Sequence, residues 1–252
     1  MTLKNIFYGL ICLLCFVSCQ QTRWQITQAA SSKIPIDNTL DSIANKEYLA
    51  YLQIYKQKLD DELNFVIGQS SVVMTVTRPE SLLSNFSADM LREVAAQTLD
   101  TTIDIAIVNV GGLRTQLPEG DITRRNIFEL MPFDNELVVL WLKGDKLAEL
   151  MDVIASIGGE GISNDVKMGI KDRKIAHIAI GGKPIDREKL YAIATSDYLA
   201  GGNDRLVQLA QYEKRVDTGL KLRDVYIDYI TSQTKKGKQI TAKLDKRIYY
   251  VD

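Results

Sequence analysis

Apolar positions recur with two periods along this chain, and each change of period marks an element. Leu49, Leu52, Leu59, Leu63 and Val66 fall at helical spacing within a charged segment, which predicts one long amphipathic helix from Asn45 to Phe65, able to pack on only one side. VIGQSSVVMTVTR, 66–78, then turns to β-branched residues, a strand signal. Ser81 is placed to cap a second helix through Gln97, with Leu82, Phe86, Met90 and Val94 on its inner face. IDIAIVN, 103–109, reads as a central strand buried on both faces, and it empties into Gly111-Gly112 and Arg114. LPEGDIT, 117–123, reads as a turn, with Thr123 capping a short helix. NELVVLWLKGDKLAELMDVIAS, 135–156, predicts a strand, a turn at Gly144-Asp145, and a helix from Lys146 with Leu147, Leu150, Met151 and Ile154 facing inward.

Beyond this point the pattern becomes β-rich. GGEG at 158–161 reads as a flexible loop, and short strands between Asn164 and Ile193 are joined by tight turns at Asp172-Arg173 and Gly181-Gly182. A last helix is expected from about Lys221 to Thr234, followed by a closing KRIYYV. The alternation of helix and strand predicts an α/β body with a mixed sheet.

Composition excludes several classes. Over 252 residues, 46% are hydrophobic and 25% charged, and the formal charge is −1, so a soluble core is affordable and no basic surface suits a nucleic acid polymer. The first 19 residues stand apart: Lys4 precedes an apolar run too short for a stable membrane span, which reads as an export signal. Its end, Phe16-Val17-Ser18-Cys19, resembles the lipobox of bacterial lipoproteins. That resemblance implies lipidation at Cys19, an exported and membrane-anchored protein, and a flexible tether over residues 20–44 before a domain at 45–252. A plain secretory signal is the alternative. At most one cysteine then remains, so neither an internal disulfide nor a thiolate metal cage is open to the mature chain.

Candidate chemistry gathers in three loops: Asn109 to Arg114, Pro132-Phe133-Asp134-Asn135, and TSDYLAGGNDRL from Thr195 to Leu206. A glycine pair after a strand lets backbone approach a ligand at little conformational cost. Phe133 and Tyr198 are aromatics on loops rather than on an apolar stripe. His177 alternates with Ile175 and Ala179 in KIAHIAIGG, which reads as a structural or exposed imidazole. It is the one histidine, so neither a dinuclear metal site nor a serine triad outside its neighbourhood can be assembled, and no GxSxG or P-loop motif occurs in the sequence.

NVGGLRTQLPEGDITRRNIFELMPFDNELVVLWLKGDKLAELM and YAIATSDYLAGGNDRL together resemble the C-terminal domain of the bacterial and animal 5′-nucleotidases. That family runs N-x-GG-[IL]-R, G-x-[IL]-T, P-F-x-N, then an aromatic, a glycine pair and an aspartate. ESLLSNFSADMLRE and the terminal KRI fit as well, so the resemblance covers Asn45 to the end. It implies an α/β fold with mixed sheets in a layered α-β-β-α arrangement. It also implies a domain that holds a nucleotide or nucleoside while a separate metallophosphoesterase unit with two divalent metals hydrolyses the phosphoester. By the same resemblance Phe133 and Tyr198 stack the base, Asp204 accepts from ribose hydroxyls, Asn109 contacts the base, and Arg114 grips the phosphate side beside Gly111 and Gly112.

Departures are visible too. The family usually has phenylalanine at Tyr198, and Asn203 intervenes between Gly202 and Asp204, where asparagine tolerates positive φ. Arg78 lies close to the place of a further family arginine but off its register, and Asn85 sits where some members make a polar contact. The chain itself is expected to carry no catalytic residue and no metal. The second reading is a non-catalytic nucleoside-binding or scaffold lipoprotein of the cell envelope.

Overall fold

The computed structural model describes residues 25–39 and 45–251; Cys19, the export signal and the rest of the expected tether lie outside the described residues. The chain divides between Tyr51 and Leu52 into two units. Residues 25–39 are exposed and almost without regular structure. Helix α1, Lys46–Leu63, matches the expected lead helix to within two residues at each end, yet none of its residues is buried. Its apolar stripe is open rather than packed.

A five-stranded mixed sheet is the centre of the second unit. Numbered in chain order, its strands are β2 (Ile105–Val108), β4 (Glu136–Lys143), β5 (Gly161–Ile162), β8 (Leu190–Ser196) and β9 (Lys214–Lys221), laid side by side as β5-β2-β8-β4-β9. Only β2 and β8 run parallel; the other pairs are antiparallel. Side chains alternate along each strand, so the sheet has two apolar faces. Ala106, Val108, Leu137, Val139, Ala192 and Ala194 face a core built with α2 (Leu82–Leu99), α3 (Arg124–Leu130) and α6 (Leu222–Lys235). Ile105, Ile107, Val138, Leu140, Leu142 and Ile193 face a second core. That core is closed by α4 (Gly144–Ser156) and by a three-stranded sheet of β6 (Val166–Lys171), β7 (Lys174–Ile180) and β10 (Ile248–Tyr250). Leu147, Leu150, Met151 and Ile154 of α4 are all fully buried there, as their spacing requires. The layered α/β arrangement with mixed sheets is the one expected.

Local chemistry sets the boundaries. The Ser81 hydroxyl caps α2 by accepting from the Ser84 amide at 3.3 Å, and Thr123 with Asn126 forms a reciprocal capping box on α3. The Asp172-Arg173 turn places both residues at positive φ, as a two-residue hairpin between β6 and β7 demands.

Four segments differ from expectation. The 66–78 run is strand only at β1, Val66–Ser70, because the Ser70 hydroxyl donates to the Val72 carbonyl at 2.7 Å and turns the backbone away. LPEGDIT is not all turn: Gly120–Thr123 forms β3, paired antiparallel with β1, which buries Ile122 beside Ile67. The α4 helix begins at Gly144, inside the expected turn. GGEG is a packed junction rather than a flexible loop. Gly159 sits at φ 110° and a Cβ there would lie 2.7 Å from the Pro79 carbonyl, so only glycine fits; Glu160 and Gly161 are buried.

Candidate functional site

β2 and β8 are neighbours and parallel, so their carboxyl ends open on the same edge, and the loop entering antiparallel β4 reaches that edge from the other direction. Ligands of open α/β sheets settle at such ends, where loops diverge and leave a crevice. Here the crevice has a volume of about 380 Å³. Its floor is apolar, from Leu91, Ile107, Met131 and Leu222.

Each of three loops contributes polar or aromatic groups. Asn109 is the first residue past β2, and its Nδ2 donates to Oδ2 of Asp204 at 2.7 Å. Gly111 and Gly112 follow in a single helical turn, and neither has positive φ. The need for glycine is different: a Cβ on Gly112 would lie 2.7 Å from Oδ1 of Asn109 and push that side chain out of place. The Arg114 guanidinium folds back onto its own turn, donating to the Gly111 carbonyl at 3.0 Å, and remains exposed at the cleft.

Phe133 lies 43% exposed between the end of α3 and β4. Arg223, in the first turn of α6, holds that loop. It donates to the carbonyls of Met131 at 3.1 Å and Phe133 at 3.3 Å and to the Asp134 carboxylate at 3.2 Å.

Tyr198 belongs to α5, Asp197–Ala200, a short helix capped by Ser196 at the end of β8. Its ring is 41% exposed, and its hydroxyl donates to Oδ1 of Asp204 at 2.9 Å. That bond to a carboxylate pushes the Tyr198 phenol above its ordinary pKa. Asn203 does not take the positive φ foreseen for it. Its Nδ2 instead donates to the Tyr198 carbonyl at 2.7 Å, while Asp204 and Arg205 adopt φ 54° and 69°. A left-handed aspartate costs backbone energy, and here it presents both carboxylate oxygens to defined donors.

The cleft therefore brings together Asn109, Gly111, Gly112, Arg114, Phe133, Tyr198 and Asp204. Arg78 and Asn85 do not line it. Arg78 donates through Nε to the Gly159 carbonyl at 2.7 Å and pairs with the Glu160 carboxylate. Asn85 is 2% exposed and donates to Glu80 at 2.7 Å and to the Lys243 carbonyl at 2.8 Å. Three polar neighbours went unassigned from sequence. Asn135 and Ser196 line the cleft, and the P-F-x-N spacing already contained the first. Glu160 lies behind it, accepting from the Val110 amide at 2.5 Å, and only its buried glycine-rich setting could have drawn notice. Burial pushes the Glu160 carboxyl above its ordinary pKa and the Asp204 charge adds to this, against the opposing pull of the Val110 amide and Arg78.

The donor set does not fit a dinuclear metal centre. Among the described residues no three His, Cys, Asp or Glu side chains converge on one point. Asp204 is the cleft's acidic side chain, and both its oxygens are already engaged by Asn109 and Tyr198. His177 lies on β7 in the smaller sheet, exposed, with Nε2 hydrogen bonded to the Tyr249 hydroxyl.

Comparison with known proteins gives one family. Residues 66–211 match the model described as 5′-nucleotidase, C-terminal domain. The trifunctional nucleotide phosphoesterase protein YfkN of Bacillus subtilis is 27% identical over 89% of this chain, which spans 16% of its length. Protein UshA of Escherichia coli is 26% identical over 81% of this chain, which spans 36% of its length. Among solved structures, the 5′-nucleotidase precursor of Thermus thermophilus superposes with a TM-score of 0.69 at 25% identity, over 84% of this chain and 45% of its own.

Proposed function

The chain belongs to the 5′-nucleotidase C-terminal domain family, and from that premise we propose that its cleft holds the nucleoside part of a nucleotide while a separate metallophosphoesterase cleaves the phosphoester. The observation that carries this reading is convergence: Asn109, Arg114, Phe133, Tyr198 and Asp204, from three separate loops, line one crevice of a size suited to a small ligand. Every nucleobase offers a π face, and stacking on an aromatic contributes ~1–3 kcal/mol per base. Phe133 and Tyr198 supply the rings. Asp204, held from two sides, accepts from ribose hydroxyls through its remaining lone pairs, and Asn109 offers donor and acceptor to the base edge. Arg114 presents its planar fork toward the anionic end.

The chain spans well under half the length of the curated relatives it matches, whose names include a nucleotide phosphoesterase. On this reading the chemistry falls to a separate metallophosphoesterase unit, where two divalent cations would activate water and stabilise the charge on phosphorus. This chain's share is to bind, orient and exclude water. Export and lipidation at Cys19 complete the proposal and place the pair at a bacterial membrane.

Mixing tests it. Nucleotidase activity is expected only when the purified chain is combined with the metallophosphoesterase. Full metal-dependent turnover by the chain alone, or no stimulation on mixing, contradicts it.

A further inference from the structure

The peptide that joins Asn109 to Val110 is fixed at both of its polar groups. Its carbonyl, from Asn109, accepts from the Gly112 amide at 3.0 Å, closing the turn. Its N–H, from Val110, donates to Oε2 of Glu160 at 2.5 Å. A peptide held at both ends cannot rotate, so the direction in which the Asn109 side chain leaves the backbone is set from behind the cleft. The Glu160 side chain is 3% exposed, and its other oxygen is taken by Arg78, whose Nε also holds the Gly159 carbonyl. A buried amide could be satisfied by any neutral acceptor; a buried carboxylate adds a desolvation cost that only firm partners offset.

We propose that Glu160, backed by Arg78, is a positioning residue that locks the Asn109–Gly112 turn in its ligand-ready shape. This rests on the reading of the cleft as a nucleoside site. Arg78 then acts on the ligand only through Glu160 and the turn. Glu160 never touches the ligand, and its contribution passes through Asn109 and, one link further, through the Asn109–Asp204 bond.

Four variants of the full chain separate this from a merely structural role: Glu160→Gln, Asn109→Ala, the double variant of these two, and Arg78→Met. Glutamine is isosteric and keeps one acceptor, so folding survives, while Arg78→Met, at a side chain 38% exposed, weakens the same link without entering the core. Adenosine and AMP titrations are expected to show roughly tenfold weaker binding for Glu160→Gln, the effect of losing a charge-assisted hydrogen bond, and a smaller loss of the same kind for Arg78→Met. Adding Glu160→Gln to Asn109→Ala is expected to cost little more than Asn109→Ala alone, since coupled residues are not additive. Amide hydrogen exchange at Val110 to Gly112 is expected to quicken in Glu160→Gln with thermal stability no lower than that of the wild type. Wild-type affinity in Glu160→Gln, or two losses that add in full, would overturn the proposal. So would unchanged exchange in that turn, which holds as a test even if the wild-type chain binds no nucleoside and the reading of the cleft fails.

Discussion

The Tyr198 hydroxyl donates to one oxygen of Asp204 at 2.9 Å, while the Asn109 amide donates to the other at 2.7 Å. A carboxylate fixed from two sides keeps its plane, and each oxygen retains acceptor capacity for a further donor. The extra hydroxyl of tyrosine, where the resemblance leads one to expect phenylalanine, thus becomes part of the site's framework. Tyr198→Phe keeps the ring and removes this support. Its expected signature is selective: adenosine binding falls by roughly two- to tenfold, the range of one hydrogen bond, while a 2′,3′-dideoxy analogue is unaffected. Calorimetry with both ligands measures the difference.

Phe133 stands 43% exposed, so little of the core depends on it. Phe133→Ala is expected to weaken nucleoside binding by about 1–3 kcal/mol, the worth of one stacked base, with the melting temperature nearly unchanged. Thermal unfolding alongside titration distinguishes this from a general loss of structure.

Arg223 grips the Phe133 loop at three oxygens, and its guanidinium also lies 4.6 Å from the Phe128 ring centre. Arg223→Ala is expected to weaken binding through the mobility of Phe133, so that its effect largely vanishes in a Phe133→Ala background. A double-variant cycle by calorimetry reads this coupling directly.

Much of the site was legible in sequence because it is local. Loop aromatics, a glycine pair after a buried strand and the N-x-GG-x-R spacing are features of short segments, and the capped helices at Ser81 and Thr123 follow from the same kind of local chemistry. What was not legible depends on distant segments meeting. Glu160 acquires its role only because Gly159 lets residues 158–160 lie against Pro79 and the end of β2. LPEGDIT contains Pro118 and Gly120 and reads as a turn, yet its second half becomes a strand because β1 offers it a partner and Ile122 a place in the core. The stripe on α1 is periodic enough to predict a helix, and periodicity carries no information about whether the stripe is covered.

Titration behaviour provides a check on the packing. Burial, reinforced by Glu93, pushes the Tyr229 phenol up to about 12, and complete burial raises Tyr226 further in the same direction. A raised phenol pKa favours the neutral form, so the associated stability is present below about pH 10 and is lost as pH rises through about 12. In an alkaline spectrophotometric titration these two tyrosines are expected to ionise last and together with unfolding. Ionisation of all tyrosines near pH 10, with the fold intact, would contradict the packing of α6 against α2.

Glu160 behaves in the same sense at the acid end. Its carboxyl is raised by burial and by Asp204 and opposed by Arg78 and Val110, so its ionisation is a net cost that appears as pH rises through its folded pKa. Glu160→Gln removes that cost. Its stability relative to wild type is therefore expected to improve as pH rises above the ordinary carboxylate range in denaturant titrations, even as ligand affinity falls.

The central claim concerns the cleft that Phe133 and Tyr198 both line, and calorimetry of the purified chain with AMP, repeated on the Phe133→Ala/Tyr198→Ala double variant, tests it most directly. The expected result is saturable binding at one site in the wild-type chain and none in the folded double variant. Equal heats from both proteins, or no heat from the wild type at millimolar AMP, would contradict it.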